Sequence, residues 1–326
     1  MKFGLGYNTG FLGTDPANLT AIARHADNLG FESFYVPEHV TLYPGARVGE
    51  TEFAPDLPIA DPLECLAFVA ASTTTILLGT GVLLLPFHHP VVLAKRLATI
   101  DVLSGGRMRL LTIGVSSLPG EAAAVGVDYA TRGRRADEAI DVLRALWAGD
   151  ATGTSFDGEF YSFVDVTSYP KPLQMLPIHV GGSSAAAARR AGRRGDGFFS
   201  GGRLAPAERL ALLELMHATA VAEGRDPEVL EYTRWGSIDV ERSAVEAHAA
   251  QRVDRLVVGT TSTDLNEQLR QLAVFATLHG LRLNQLAASP ATVSGTPPNS
   301  PTGVSWPPWP TAQPNSFCAS AWIAYR

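Results

Sequence analysis

A carboxylate and an imidazole stand side by side at Glu38 and His39. They follow the segment FESFYVP at 31–37, whose aromatic and β-branched residues and terminal Pro37 predict a strand. Histidine titrates near neutral pH and a carboxylate can exchange a proton, so the pair could perform general acid–base chemistry. Successive strand side chains point to opposite faces, so one of the two should reach a pocket, and we favour His39. We predict both as catalytic residues.

Two glycine-rich turns suggest a second chemistry, the binding of a phosphate. Gly181, Gly182 and Ser183 follow the apolar run 177–182 and open a helical segment. Gly201 and Gly202 follow the next apolar run in the same way. Backbone N–H groups at such a helix start can hold the phosphate of a cofactor, and we predict these five residues as cofactor-binding. Tight turns with ordinary helix caps are the alternative interpretation.

A glycine also interrupts the long apolar run ILLGTGVLLLP at 76–86, where Gly81 lies between Thr80 and Val82. Glycine within a strand marks either a bulge or the close approach of the backbone to another group. We predict that these three residues lie against a bound cofactor, with a plain bulge as the alternative.

Three arginines, Arg132, Arg134 and Arg135, cluster at a predicted helix start. Positive charge opposes the helix dipole there, so a compensating anion is expected. That anion is either the acidic tail of a cofactor or the neighbouring Asp137 and Glu138.

Metal chemistry and a disulfide framework find no support in the sequence. The pair His88-His89 lacks a third ligand at a suitable spacing, so we predict no metal site and place the pair in a loop or helix entry. The two cysteines, Cys65 and Cys318, lie far apart and show no metal-ligand spacing.

The composition describes a chain with enough apolar material for a large core. Of 326 residues, 46% are hydrophobic, and the formal net charge is −6. This charge argues against nucleic acid as a partner. The N-terminus lacks a signal-peptide apolar region, and the longest apolar run, 76–87, is too short to span a bilayer. We expect a cytoplasmic protein without membrane contact.

Short apolar runs alternate with amphipathic segments eight times, which predicts a (β/α)₈ barrel of the TIM type with parallel strands. An open doubly wound sheet is the structural alternative. A hairpin that turns at Asp157-Gly158 is expected as an insertion near 150–177. The predicted strands occupy 3–8, 31–37, 76–86, 108–115, 177–182, 195–202, 230–240 and 255–260, and the helices 18–29, 61–74, 91–103, 131–147, 185–194, 206–223, 243–250 and 264–278.

The last forty residues differ from the rest in composition. Proline, serine and threonine dominate there, and neither a helical nor a strand period persists. We therefore divide the chain into a barrel domain at 1–284 and an irregular tail at 285–326.

An ordered set of segments resembles a known family. These are FESFYVPEHV (31–40), LGTGVLLLPFHHPVVLAKRLATIDVLSGGR (78–107), GVDYATRGRRADEAIDVLRALW (126–147), PIHVGGSS (177–184) and DRLVVG (254–259). Together they resemble the luciferase-like monooxygenase superfamily, and within it the branch of F420-dependent oxidoreductases found in actinobacteria. The resemblance runs from Met1 to about residue 283.

The resemblance implies a barrel that binds coenzyme F420, with FMN as the alternative cofactor. It places a cis peptide bond behind the cofactor ring at Gly81–Val82, and it places Gly114 and Val115 beside the ring. Many relatives carry a glycine and a tryptophan where this chain has Ser116-Ser117. That departure puts the ring environment in doubt.

Three functions follow from the resemblance. The first is hydride transfer between reduced F420 and an unknown small organic substrate. The second is an FMN- and O₂-dependent monooxygenase, and the third is a cofactor-binding barrel without turnover. Relatives often form dimers, so a homodimer is one expectation. Aromatic residues in the segments 38–60 and 150–177 favour an apolar or aromatic substrate, namely Tyr43, Phe53, Phe156, Phe160 and Tyr161.

Overall fold

The computed structural model describes residues 1–201 and 204–282, and within these ranges it confirms the (β/α)₈ barrel. Each strand pairs in parallel with the next along the chain, and the last strand pairs with the first. This closure excludes the open sheet. The barrel strands are β1 Lys2–Gly6, β2 Ser33–Val36, β3 Leu77–Leu84, β4 Met108–Gly114, β5 Ile178–Gly181, β6 Gly197–Ser200, β7 Glu231–Ser237 and β8 Arg255–Gly259.

A ring of helices covers the outer face of the barrel. Short helices also occupy Thr9–Leu12 and Pro119–Ala124, and 3₁₀ turns lie at Leu85–Phe87, Tyr129–Thr131 and Pro227–Val229. The main helices are α1 Pro16–Leu29, α2 Pro62–Ser72, α3 Pro90–Leu103, α4 Arg132–Ala148, α5 Ala185–Arg194, α6 Pro206–Ala222, α7 Arg242–Ala250 and α8 Leu265–His279.

Local signals in the sequence set several helix ends. The Asp61 side chain accepts a hydrogen bond from the Leu63 N–H at 2.8 Å and caps α2, as predicted. Helix α1 ends at Gly30, whose φ of 83° is left-handed, a conformation that glycine adopts without steric cost. No helix in the described part of the chain is long and apolar enough to cross a membrane.

Two antiparallel hairpins interrupt the alternation. The predicted one pairs Thr154–Asp157 with Ser162–Val166, and the other pairs Arg47–Val48 with Thr51–Glu52 and was not predicted. Glu138 of α4 holds the tip of the first hairpin, because its carboxylate accepts backbone N–H groups at 2.7–3.1 Å. These donors belong to Glu159, Phe160 and Tyr161. The predicted domain boundary at 284 and the tail lie outside the described residues.

An ion-pair network fills the N-terminal end of the barrel. Arg255 of β8 is 1% exposed, and its Nε lies 2.5 Å from Glu32 Oε2. Its Nη1 lies 2.9 Å from Glu231 Oε2. The next layer of the interior is apolar and aromatic and consists of Tyr35, Leu110, Phe199 and Val257.

Two side chains at this network, His179 and Glu231, should reduce the stability of the fold in acid. Burial lowers the pKa of His179 from 6.5 to about 4. Burial would raise the pKa of Glu231, but the charge of Arg255 and the hydrogen bonds from Lys2 and Arg255 together outweigh burial and lower that pKa from 4.5 to about 2. Both folded values lie below the unfolded ones, so the unfolded chain binds more protons in these ranges. The free energy of unfolding therefore decreases as the pH is lowered. His179 contributes to this decrease between pH 6.5 and 4, and Glu231 contributes between pH 4.5 and 2.

Urea unfolding at several pH values tests this expectation. His179 should account for a loss of up to about 3 kcal/mol as the pH falls from 7 toward 4. His179→Gln cannot titrate and should flatten the decline, whereas the matched variant His217→Gln on α6 should keep it. An equal slope in wild type and His179→Gln would contradict the assignment.

Candidate active site

The mouth of the barrel, where the strands end, is lined by small residues. The inward positions at the ends of β3, β4 and β5 are Gly81, Gly114 and Gly181. A side chain at any of them would meet groups already present in the interior. The absence of side chains here lets another side chain approach the backbones of β4 and β5 closely.

Val82 enters this glycine-lined space. The peptide bond between Gly81 and Val82 is cis, at the position that the resemblance implies, and the pairing of β3 with β4 shifts register there. A Cβ atom on Gly114 would lie 2.6 Å from Val82 Cγ2, and one on Gly181 would contact Val82 Cγ1 even more closely. The Val82 side chain is half-buried, so it presents an apolar surface at the mouth.

Trp235 of β7 supplies a second surface that was not predicted. A Cβ atom on Gly81 would lie 3.5 Å from the Trp235 ring, and this ring packs on Phe199 with 4.8 Å between ring centroids. Trp235 is half-buried. Val82 and Trp235 therefore both flank Gly81 at the mouth.

His39 is held by a carboxylate that the sequence did not single out. Its Nδ1 lies 3.3 Å from both oxygens of Glu121, which is fully buried in the short helix Pro119–Ala124. Glu121 also accepts hydrogen bonds from the Val40 N–H at 2.7 Å and from Ser116 Oγ at 3.0 Å. A carboxylate facing Nδ1 favours the proton on that nitrogen, so Nε2 is where the ring can take up or release one.

Glu38 has a different environment from its neighbour. Its Oε2 accepts the Leu84 N–H at 2.5 Å, and its Oε1 lies 2.9 Å from His88 Nε2. The Glu38 side chain is buried at 3% exposure and joins the ends of β2 and β3. These contacts favour a role for Glu38 in positioning the ends of β2 and β3. The catalytic role of Glu38 stays a prediction.

Two other residues predicted to contact the cofactor ring, Thr80 and Val115, have different surroundings, and Ser116 follows Val115 just after the end of β4. The Thr80 hydroxyl donates to the Thr112 carbonyl at 2.8 Å and accepts the Thr112 N–H at 3.0 Å, so it faces β4 rather than the mouth. Val115 follows Gly114 and is partly buried against the main core. Ser116 has a left-handed φ of 63°, and its hydroxyl bonds Glu121.

The two glycine-rich turns lie against each other. The Gly182 N–H donates to the Phe199 carbonyl at 3.2 Å, and the Gly201 N–H donates to the Gly182 carbonyl at 3.4 Å. Ser183 Oγ bonds the Gly201 carbonyl, and Ser184 caps α5. The turns thus lie together beside the start of α5, although the Gly182 and Gly201 N–H groups donate to carbonyl groups of the protein. Their role in binding a phosphate stays a prediction. The predicted Gly202 lies outside the described residues.

The arginines at the start of α4 find partners other than the adjacent acids. Arg134 pairs with Glu159 of the hairpin tip, and Arg135 stacks over the Phe160 ring at 4.4 Å. Asp137 instead pairs with Arg190 of α5 at 2.6 Å.

Only part of the predicted aromatic set lies near His39. The Phe53 ring is 5.2 Å from the His39 ring, and the Tyr43 hydroxyl accepts the Gly120 N–H at 3.3 Å. Phe156, Phe160 and Tyr161 pack locally within or beside the hairpin. In the described residues no group of His, Cys, Asp and Glu side chains could hold a metal ion.

The sequence profile described as luciferase-like monooxygenase matches residues 2–291, which is most of the chain. The chain belongs to the luciferase-like monooxygenase family. Within it, an uncharacterized protein of Mycobacterium tuberculosis is 34% identical over 196 residues, covering 58% of this chain and 67% of that protein. An F420-dependent glucose-6-phosphate dehydrogenase of Beutenbergia cavernae is 38% identical over 201 residues, or 60% of this chain and 55% of that enzyme.

Solved structures share the fold of this luciferase-like chain. The monooxygenase RslO1 from Streptomyces bottropensis superposes with a TM-score of 0.69 at 24% identity, covering 85% of this chain and 98% of that one. An F420-dependent secondary alcohol dehydrogenase, solved with an F420-acetone adduct, superposes with a TM-score of 0.71 at 16% identity, covering 86% and 99%. At these identities the comparison supports the barrel architecture.

Proposed function

We propose that the chain is an oxidoreductase that binds coenzyme F420 at the barrel mouth and transfers hydride between the reduced cofactor and a small organic molecule. The position of Val82 carries this proposal, because its side chain projects into a space kept open by Gly114 and Gly181. A flat ring system can lie against such an apolar surface. The named relatives include F420-dependent dehydrogenases.

The residues present fit a cofactor with a ring and a phosphate. Gly81, Val82 and Gly114 would contact the ring, and the joined turns at Gly181–Ser183 and Gly201 would hold the phosphate. Exposed backbone at the start of α5 adds the positive end of a helix dipole. Bound F420 would supply a hydride-carrying carbon.

His39 would move the proton that accompanies the hydride. Glu121 holds its Nδ1 and fixes the orientation of the ring, so the exchange takes place at Nε2. Phe53 lies beside the His39 ring, and Tyr43 lies beside the helix that carries Glu121. These aromatic side chains favour an apolar or aromatic substrate.

Fluorescence titration of the purified chain with F420, and separately with FMN, tests the proposal. We expect saturable binding of F420 and at least a ten-fold weaker response to FMN. Binding of FMN alone would overturn the proposal in favour of an oxygen-dependent monooxygenase. Binding of neither would indicate a barrel without turnover.

A further inference from the structure

Two basic side chains, Arg234 of β7 and His248 of α7, meet outside the barrel mouth, and Arg209 of α6 lies nearby. Arg234 lies on the outer face of β7, because the adjacent Trp235 faces the interior. Its Nη1 is 3.0 Å from His248 Nδ1 and 3.1 Å from Gln251 Oε1. Arg209, near the start of α6, is close enough for its charge to act on both Arg234 and His248. We refer to Arg209, Arg234 and His248 as the basic cluster.

In the part of the chain that the structure describes, no carboxylate forms an ion pair with the basic cluster. Among the described residues, none of the ion pairs includes any of its three side chains. Burial and the charge of Arg209 lower the pKa of Arg234, and the opposing effect comes from the Tyr232 hydroxyl rather than from a carboxylate. Residues 202–203 and 283–326 contain no Asp or Glu, so their side chains cannot supply one either.

Several N–H groups of the basic cluster donate no hydrogen bond in the described structure. The described contacts of Arg234 use Nη1, although a guanidinium carries five N–H groups. Arg209 donates through Nη2 to the Leu204 carbonyl at 2.5 Å, but its buried Nε has no partner in the described residues. Because His248 Nδ1 accepts from Arg234, its ring proton sits on Nε2, which is a further donor.

Partly buried guanidinium groups without counter-charge are costly, since a buried charge is ordinarily paired. By contrast, two partly buried arginines of the neighbouring helix α5 have acidic partners. Arg190 pairs with Asp137, and Arg194 pairs with Asp141. The basic cluster differs from these two ion pairs in having no acidic partner among the described residues.

We propose that the basic cluster is a binding site for a phosphate group. Two guanidinium groups and an imidazole N–H match the several oxygens and the roughly twofold negative charge of phosphate near neutral pH. The Arg234 side chain lies on the outer face of the barrel wall, in register with Ser200, whereas the proposed cofactor phosphate would lie at the mouth. The basic cluster would be an anion site in addition to that of the cofactor. Inorganic phosphate and the phosphate group of a larger ligand share this chemistry.

Calorimetric titration of the full chain with inorganic phosphate, at constant ionic strength against chloride, tests the proposal. Arg234→Gln and Arg209→Gln should each weaken binding by about ten-fold or more, because each removes charge-assisted hydrogen bonds. Arg270→Gln removes the same charge from an exposed position on α8 and should leave binding unchanged. Equal affinities in wild type and both cluster variants would overturn the proposal.

Two further measurements locate the site and identify the source of the phosphate. Crystals soaked in tungstate should show an anomalous peak between Arg209 and Arg234, and no peak there would overturn the proposal. Tighter binding of O-phosphoserine than of inorganic phosphate would assign the site to the phosphate group of a larger ligand, and the reverse order to the free ion. Thermal melting checks each variant. If Arg234→Gln does not fold, the half-exposed Arg209 still provides the test.

Discussion

Glu121→Gln is expected to lower kcat of the proposed hydride transfer by about 100-fold or more, with little change in KM. Glutamine keeps the size of the side chain and an acceptor for the Val40 N–H, but it removes the charge facing His39 Nδ1. The carboxylate holds the His39 ring in the orientation and tautomer in which Nε2 exchanges the proton. The measurement is steady-state kinetics with reduced F420 and a substrate found by screening.

Two variants separate this role from a structural one. His39→Ala should cost about as much as Glu121→Gln, and the double variant should cost hardly more, because the two residues act as one unit. The ¹⁵N NMR signal of His39 Nδ1 should move in Glu121→Gln even without substrate. If the losses of kcat in the two single variants added up in the double variant, the coupling of His39 to Glu121 would be contradicted.

Glu38→Gln is the matched comparison, since Glu38 is also a buried carboxylate beside a histidine. It should reduce thermal stability, because the Leu84 N–H and His88 lose a charged partner. Its kcat should stay within about ten-fold of wild type, below the usual contribution of a general acid or base. A larger loss of kcat in Glu38→Gln than in Glu121→Gln would indicate that Glu38, rather than the pair of Glu121 and His39, is catalytic.

The barrel could be predicted because its signals are local. Each strand appears as a short apolar run, and residues such as Asp61 and Gly30 mark helix ends through their own backbone chemistry. The glycine turns were placed correctly for the same reason, since parallel strands bring Gly181 and Gly201 to one end of the barrel.

The partner of His39 could not be predicted, because it depends on contacts distant in sequence. Glu121 lies 82 residues from His39 and follows a loop without periodicity. Trp235 was placed in a strand, but whether it faces the mouth depends on the register of β7. The aromatics of the hairpin were assigned to the substrate, yet Glu138 fixes that hairpin tip against α4, where Phe160 packs under Arg135.

Gly181→Ala should loosen the mouth of the barrel. A methyl group there would contact Val82 Cγ1 more closely than packed atoms allow, so Val82 or β5 must move. Overpacking of this kind costs about 1–3 kcal/mol in the free energy of unfolding. The same displacement should weaken F420 binding by about 10–100-fold, because Val82 is the proposed ring contact. Urea unfolding and the fluorescence titration measure the two effects.

A second substitution determines whether the clash is the cause. Val82→Ala removes the methyl groups that Gly181→Ala would meet, so the double variant should recover most of the lost stability. It should not recover the affinity, since the apolar surface at the mouth is then smaller. Gly201→Ala is the steric control and should leave stability unchanged, because its added Cβ would lie 3.8 Å from Ser183 Oγ, the nearest atom among the described residues. If the double variant recovered affinity as well, the ring would not rest on Val82, and the cofactor would have to lie elsewhere in the mouth.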